Sequence, residues 1–125
     1  MDALAFAAWE NHTSVVKALL NKGAQVDATD GNGWTALMRA SFKGYSECVL
    51  ALIEKGANVN ARTTDGKVAL LIAAEVGHAD TIKVLLDHGA DVNTTDTNGK
   101  TALNLAEDQR RTEIVELLKN RGAAR

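Results

Sequence analysis

Three histidines, one cysteine and a scatter of aspartates are the residues of this chain with chemical potential. A histidine can serve as general base or metal ligand, a thiolate as nucleophile, and paired carboxylates as acid and base. Each role needs a partner within hydrogen-bond reach, or several ligands converging on one point. The spacing offers neither. His12 and His78 occupy one position of an internal repeat, two units apart, and His88 lies beside Gly89. Cys48 sits next to an apolar stripe with no histidine near it in sequence, and reads as a partly buried, inert thiol. Asp87, Asp91 and Asp96 fall in segments that read as loops and turns. No Gly-Lys-Ser/Thr phosphate loop follows a strand signal. The expectation is a chain without catalytic residues, cofactor or metal, and not an enzyme.

The aromatic residues are the other chemically distinctive group. Phe6, Trp9, Trp34, Phe42 and Tyr45 all lie in the first third of the 125-residue chain, and none follows Tyr45. Composition is otherwise that of one ordinary globular domain, 46% hydrophobic and 24% charged. With 14 basic and 16 acidic residues the net charge is −2, too balanced to predict nucleic acid or an anionic membrane as partner. A lone cysteine cannot form an internal disulfide and suits a reducing compartment. The opening residues have no basic n-region, and no apolar run approaches a membrane span. Together these predict a cytoplasmic, intracellular setting.

The elements that position these residues repeat. Gly-Ala recurs at 23–24, 56–57, 89–90 and 122–123, a step of 33 residues. Gly33, Gly66 and Gly99 keep the interval, as do Ala36-Leu37, Ala69-Leu70 and Ala102-Leu103. The units are 1–29, which is partial, then 30–62, 63–95 and 96–125. Asn32-Gly33, Asp65-Gly66 and Asn98-Gly99 are tight-hairpin signals. Thr35 and Thr101 stand at N-cap positions, whereas Val68 cannot cap. A short helix over 36–42 follows in the second unit. Gly44 and Gly77 end such helices in left-handed geometry, a place held by Asn11 and Arg110 in the outer units. A second helix carries the apolar stripes Val16, Leu19, Leu20; Val49, Leu52, Ile53; Ile82, Leu85, Leu86; and Val115, Leu117, Leu118. No such unit buries its apolar face alone, so the units must stack.

The segments "DGNGWTALMRASFKGYSECVLALIEKGANVNAR", "TTDGKVALLIAAEVGHADTIKVLLDHGADVNTT" and "DTNGKTALNLAEDQRRTEIVELLKNRGA" resemble ankyrin repeats over essentially the whole chain. The family's usual Thr-Pro-Leu-His is replaced by Thr35-Ala36-Leu37-Met38, Val68-Ala69-Leu70-Leu71 and Thr101-Ala102-Leu103-Asn104. The resemblance implies an all-α solenoid of about four stacked helix-turn-helix units, with short β-hairpin turns, in a single domain over 1–125. It also implies a non-enzymatic module that binds another protein through hairpin tips and the concave face of the first helices. The alternative is an engineered or excised scaffold with no evolved partner. The second and third units share ten identities in 33 positions, far from a copied cassette.

In that register Trp34 falls on a hairpin tip, where later units carry Lys67 and Lys100. Phe42 and Trp9 fall at the end of the first helix, where later units carry Glu75 and Asp108. Trp9, Trp34 and Phe42 are therefore the expected anchors of a partner site. Arg39, one turn from Phe42, is expected on the Phe42 ring, and Lys43, Lys67, Glu75, Val76 and Lys100 complete the surface. Tyr45 shares its position with His12 and His78 and should pack at a helix junction. Phe6 shares the register of Ile72 and Leu105 and is expected in the core, unless it and Leu4 face an absent neighbour at an open N-terminal edge. A monomer is expected, with that edge as the place where chains could associate. Asn104, Glu107, Asp108, Glu113, Glu116 and Lys119 give the last unit a polar, capping face.

Overall fold

The computed structural model describes residues 1–124. Eight helices follow one another among the described residues: α1 (Ala3–Trp9), α2 (Thr13–Asn21), α3 (Ala36–Lys43), α4 (Ser46–Glu54), α5 (Ala69–Val76), α6 (Ala79–Asp87), α7 (Ala102–Asp108) and α8 (Thr112–Asn120). They form four antiparallel pairs. The odd helices stack on one another in order, as do the even ones. The hairpin signals become tight turns rather than strands. In the second unit Gly33 N donates to Asp30 O and Asp30 N donates to Trp34 O, which closes the turn with no strand among the described residues.

Local chemistry explains the helix ends. Thr35 Oγ1 accepts from Met38 N at 3.3 Å, and Thr101 Oγ1 accepts from Asn104 N at 3.2 Å. Val68 offers no such bond at the start of α5. Asp2, which the sequence reading passed over, caps α1 by accepting from Ala5 N at 2.8 Å. Gly44 ends α3 at φ 73, and a Cβ there would come too close to His78 Nδ1, so the imidazole would have to move for any side chain. Asn11 and Arg110 hold the corresponding bend at φ 59 and φ 57, a strained conformation for arginine.

One apolar core runs from Leu4 through Leu37 and Leu70 to Leu103 and Leu118. Leu4 is buried, contrary to the open-edge expectation: it belongs to the continuous core, on a helix packed against both α2 and α3. Phe6 is not core: it is 53% exposed. Ile72 and Leu105, in its register, are buried on helices that stack on the first helix of the unit before them, α5 on α3 and α7 on α5. In α8 the buried residues are Ile114 and Leu118, while Val115 and Leu117 are only half-buried. Ile114 thus keeps the burial of Cys48 and Thr81 in its register, whereas Val115 loses the full burial of Val49 and Ile82. Asn104 and Glu107 are half-buried rather than exposed, and Asn104 Oδ1 closes the Thr101 capping box.

Polar clamps join successive pairs where the short turns leave backbone groups unpaired. Asp27 Oδ1 accepts from Asn58 N at 2.9 Å, Asn60 Oδ1 from Asp91 N at 3.3 Å, and Asn93 Oδ1 from Ala124 N at 3.0 Å. His78 Nε2 bonds Phe42 O at 2.8 Å, and Arg111 Nε donates to Glu75 O at 3.2 Å. These two contacts tie the last turn of a first helix to the following unit, and so hold the helix end that carries Phe42.

Candidate protein-binding surface

The end of α1, the turn at 30–34 and the end of α3 bring three aromatic rings together. Trp9 and Phe42 stack with centroids 5.8 Å apart and planes at 18°. Trp34 meets Phe42 edge-on at 6.2 Å. Both geometries are favoured by the ring quadrupole. Helix spacing explains the Trp9–Phe42 stack. The two residues sit at one register position of neighbouring units, and α1 and α3 lie side by side. Trp34 reaches them because the Asp30 carboxylate shapes the turn, accepting from Asn32 N at 2.8 Å and Trp34 N at 3.0 Å.

Two cations lie on these rings. The Arg39 guanidinium is 6.0 Å from the Trp9 centroid and 5.8 Å from that of Trp34. It does not rest on Phe42 as the helix spacing suggested. Arg39 leaves α3 toward the preceding unit, at the position where Ile72 and Leu105 are buried, and Asp30 draws it there with a direct ion pair. The pair is largely sheltered, with side-chain exposures of 15% for Arg39 and 26% for Asp30. Asp30 titrates below the ordinary carboxylate range, chiefly because Trp34 N donates to it, with Asn32 N and Arg39 adding to the effect. Lys43 Nζ sits 4.5 Å above the Trp9 ring and 5.8 Å from that of Tyr45. Phe42 stays 39% exposed, and Trp9 and Trp34 are half-buried. A cavity of about 280 Å³ opens among Trp9, Asp30, Asn32, Trp34, Arg39 and Phe42.

The same register positions behave differently in later units. Lys67 Nζ pairs with Glu75 Oε1 at 3.0 Å, and Lys100 pairs directly with Asp108. Lys67, Glu75, Val76 and Lys100 therefore stand apart from the aromatic cluster, and Val76 is a half-buried residue at the end of α5. Sequence reasoning missed Asp30 and Asn32. Asp30 was legible as a turn former, but not as the partner of a side chain nine residues away. Tyr45 packs against the core at the start of α4, as its register implied. Cys48 is fully buried, and burial pushes its thiol up to about 11. Among the described residues no group of histidine, cysteine or carboxylates is placed to hold a metal ion.

A family model for ankyrin repeats, in three copies, matches residues 1–63 and again 59–124. The chain belongs to the ankyrin-repeat family. Ankyrin repeats are in general protein–protein interaction modules, and the family is typically non-enzymatic. No curated protein matches the chain. No helix among the described residues is long and apolar enough to cross a membrane.

Proposed function

We propose that the four units act as one domain that binds a partner protein through the surface over the first two units, with Trp34 and Phe42 as anchors and Trp9, Arg39 and Lys43 around them. The observation that carries this reading is the exchange of an ion pair for an aromatic pair. Lys67–Glu75 and Lys100–Asp108 join the turn tip to the helix end in the later units; Trp34–Phe42 does so in the second. Large aromatics half-open to solvent beside an arginine have the composition of a binding hot spot. Folding alone does not require them, since charged pairs close the same gap elsewhere in the chain. The hairpin tips and the first-helix ends of the later units, with Lys67, Glu75, Val76 and Lys100, form the flanking part of the surface.

The test is a selection of displayed random peptides on the immobilised chain. The tightest binders are then measured against the parent, Trp34→Ala, Phe42→Ala and the remote surface variant Lys119→Ala. Each aromatic variant should lose binding while Lys119→Ala keeps it. Binders indifferent to both aromatic variants would remove the site, and a chain that selects no binder fits the alternative of a scaffold without an evolved partner.

A further inference from the structure

The chemistry of the occupant follows from which charges at this surface are already satisfied, and the argument rests on the binding surface proposed above. Each lysine at a turn tip in the later units has its carboxylate: Lys67 has Glu75 and Lys100 has Asp108. In the second unit Phe42 replaces that carboxylate, and the nearby cation, Lys43, makes no ion pair among the described residues. Its ammonium is held over the Trp9 face at 4.5 Å, beside the opening lined by Trp34 and Phe42. Arg39 already spends its charge on Asp30 and lies 6.0 Å from the Trp9 centroid and 5.8 Å from that of Trp34.

A cationic ligand would have to displace one of these two cations and accept the repulsion of the other. A carboxylate would gain a partner that the fold leaves unpaired, at an apolar edge where a charge pair is less screened than in open water. The cavity of about 280 Å³ beside it is walled by three rings and by Asp30, Asn32 and Arg39, and has room for one large apolar side chain against the rings. We infer that this surface binds a peptide segment in which a large apolar residue is flanked by Asp or Glu, the apolar side chain seated among Trp9, Trp34 and Phe42 and the carboxylate on Lys43. Glu10, exposed in the register of Lys43 one unit earlier, sets the limit on the N-terminal side, since a second acid placed toward it would be repelled.

The experiment runs the random peptide display on the parent and on Lys43→Glu in parallel. The parent should enrich peptides that join a large apolar residue to Asp or Glu. Lys43→Glu should lose that preference. The strongest parent-selected peptide, resynthesised with a fluorescent label, should bind Lys43→Glu at least about tenfold more weakly. Lys43→Arg should bind it nearly as well as the parent, and affinity should fall as ionic strength rises. Lys43 is half-exposed at a helix end, and thermal unfolding of each variant verifies that it is folded. A parent selection without acidic enrichment, or a peptide that binds Lys43→Glu as well as the parent, overturns the inference. The two failures separate cleanly. A peptide lost on Trp34→Ala but kept on Lys43→Glu leaves the site and removes its charge preference, whereas a peptide kept on Trp34→Ala removes the site itself.

Discussion

At the turn tip and at the end of the first helix, the second helix pair holds Trp34 and Phe42, whereas the third holds Lys67 and Glu75. The backbone around them is the same. Both turns close with a glycine at positive φ, Gly33 at 78 and Gly66 at 81, and both first helices end at a left-handed glycine. Both pairs contribute to one continuous apolar core. What differs is the medium that each pair tolerates. An ion pair at a surface is solvated, screened and worth little. An aromatic pair holds apolar area half-open to water, which is costly to leave uncovered and valuable to a partner that covers it. On the proposed reading the two regions divide the labour of the chain: one closes a gap cheaply, the other keeps a gap for another molecule to close.

The largest effect expected from breaking this contrast is on binding. Trp34→Ala and Phe42→Ala should each weaken a selected peptide by about 2 kcal/mol or more, whereas Lys67→Ala should change it by less than about 1 kcal/mol. Isothermal titration of the three variants measures it, and equal losses would erase the distinction between the units.

On folding the gap should narrow. Trp34 is half-buried against Phe42 and Arg39, so Trp34→Ala is expected to cost roughly 1–2 kcal/mol of stability, with little dependence on salt. Denaturant titration at low and high ionic strength tests this; a loss near 4 kcal/mol would make Trp34 a core residue.

The helix starts beneath the two pairs also differ. Thr35 caps α3 and Val68 leaves α5 uncapped. Thr35→Val should therefore cost about 1 kcal/mol by losing the hydroxyl bond to Met38 N. Val68→Thr should recover less than that, because Val68 is 2% exposed and its methyl groups are packed. Thermal unfolding of both variants decides; a Thr35→Val protein as stable as its parent would show that packing alone starts these helices.

Smaller still are the charged pairs themselves. Lys67→Ala and Lys100→Ala should each change stability by less than about 1 kcal/mol, an effect that fades with added salt. Lys100 titrates above the ordinary lysine range because Asp108 accepts from its ammonium, so the lysine keeps its charge at neutral pH and loses it only in alkali.

The finest probe is acid. The folded Asp30 carboxyl lies below the ordinary value of 3.8, so its contribution is present above that value and disappears as the pH falls through the lower folded one. Protonation releases Arg39 from Asp30 and lets it shift on the two indole rings. Tryptophan emission followed below pH 3.8 should report that step in the parent and not in Asp30→Asn. An identical titration of the two proteins would detach the ion pair from the cluster.

Local signals in the chain foretold most of the fold. The 33-residue step, the Thr35 and Thr101 caps and the glycines at 44 and 77 depend on backbone geometry within a few residues, and such signals survive in one dimension. The aromatic members of the candidate surface were equally legible, because register alone sets Trp9, Trp34 and Phe42 at turn tips and helix ends. The N-terminal edge was read less well. The sequence marks Leu4 and Phe6 as equally apolar, yet one is 3% and the other 53% exposed. Their difference depends on whether the covering neighbour lies in the same helix pair or in a preceding one.

By itself, then, the sequence determined the repeat, the helix ends and the unequal distribution of aromatics, since each is written in residue type and spacing. Only the tertiary structure decided where Arg39 rests, that Asp30 holds it, that Lys43 covers Trp9 without a carboxylate, and that Val115 is less buried than Val49 and Ile82 in its register. Those outcomes depend on side chains brought together from separate units. A long, flexible cation goes to whichever carboxylate and ring face lie within its reach, and that choice exists only once the helices have stacked.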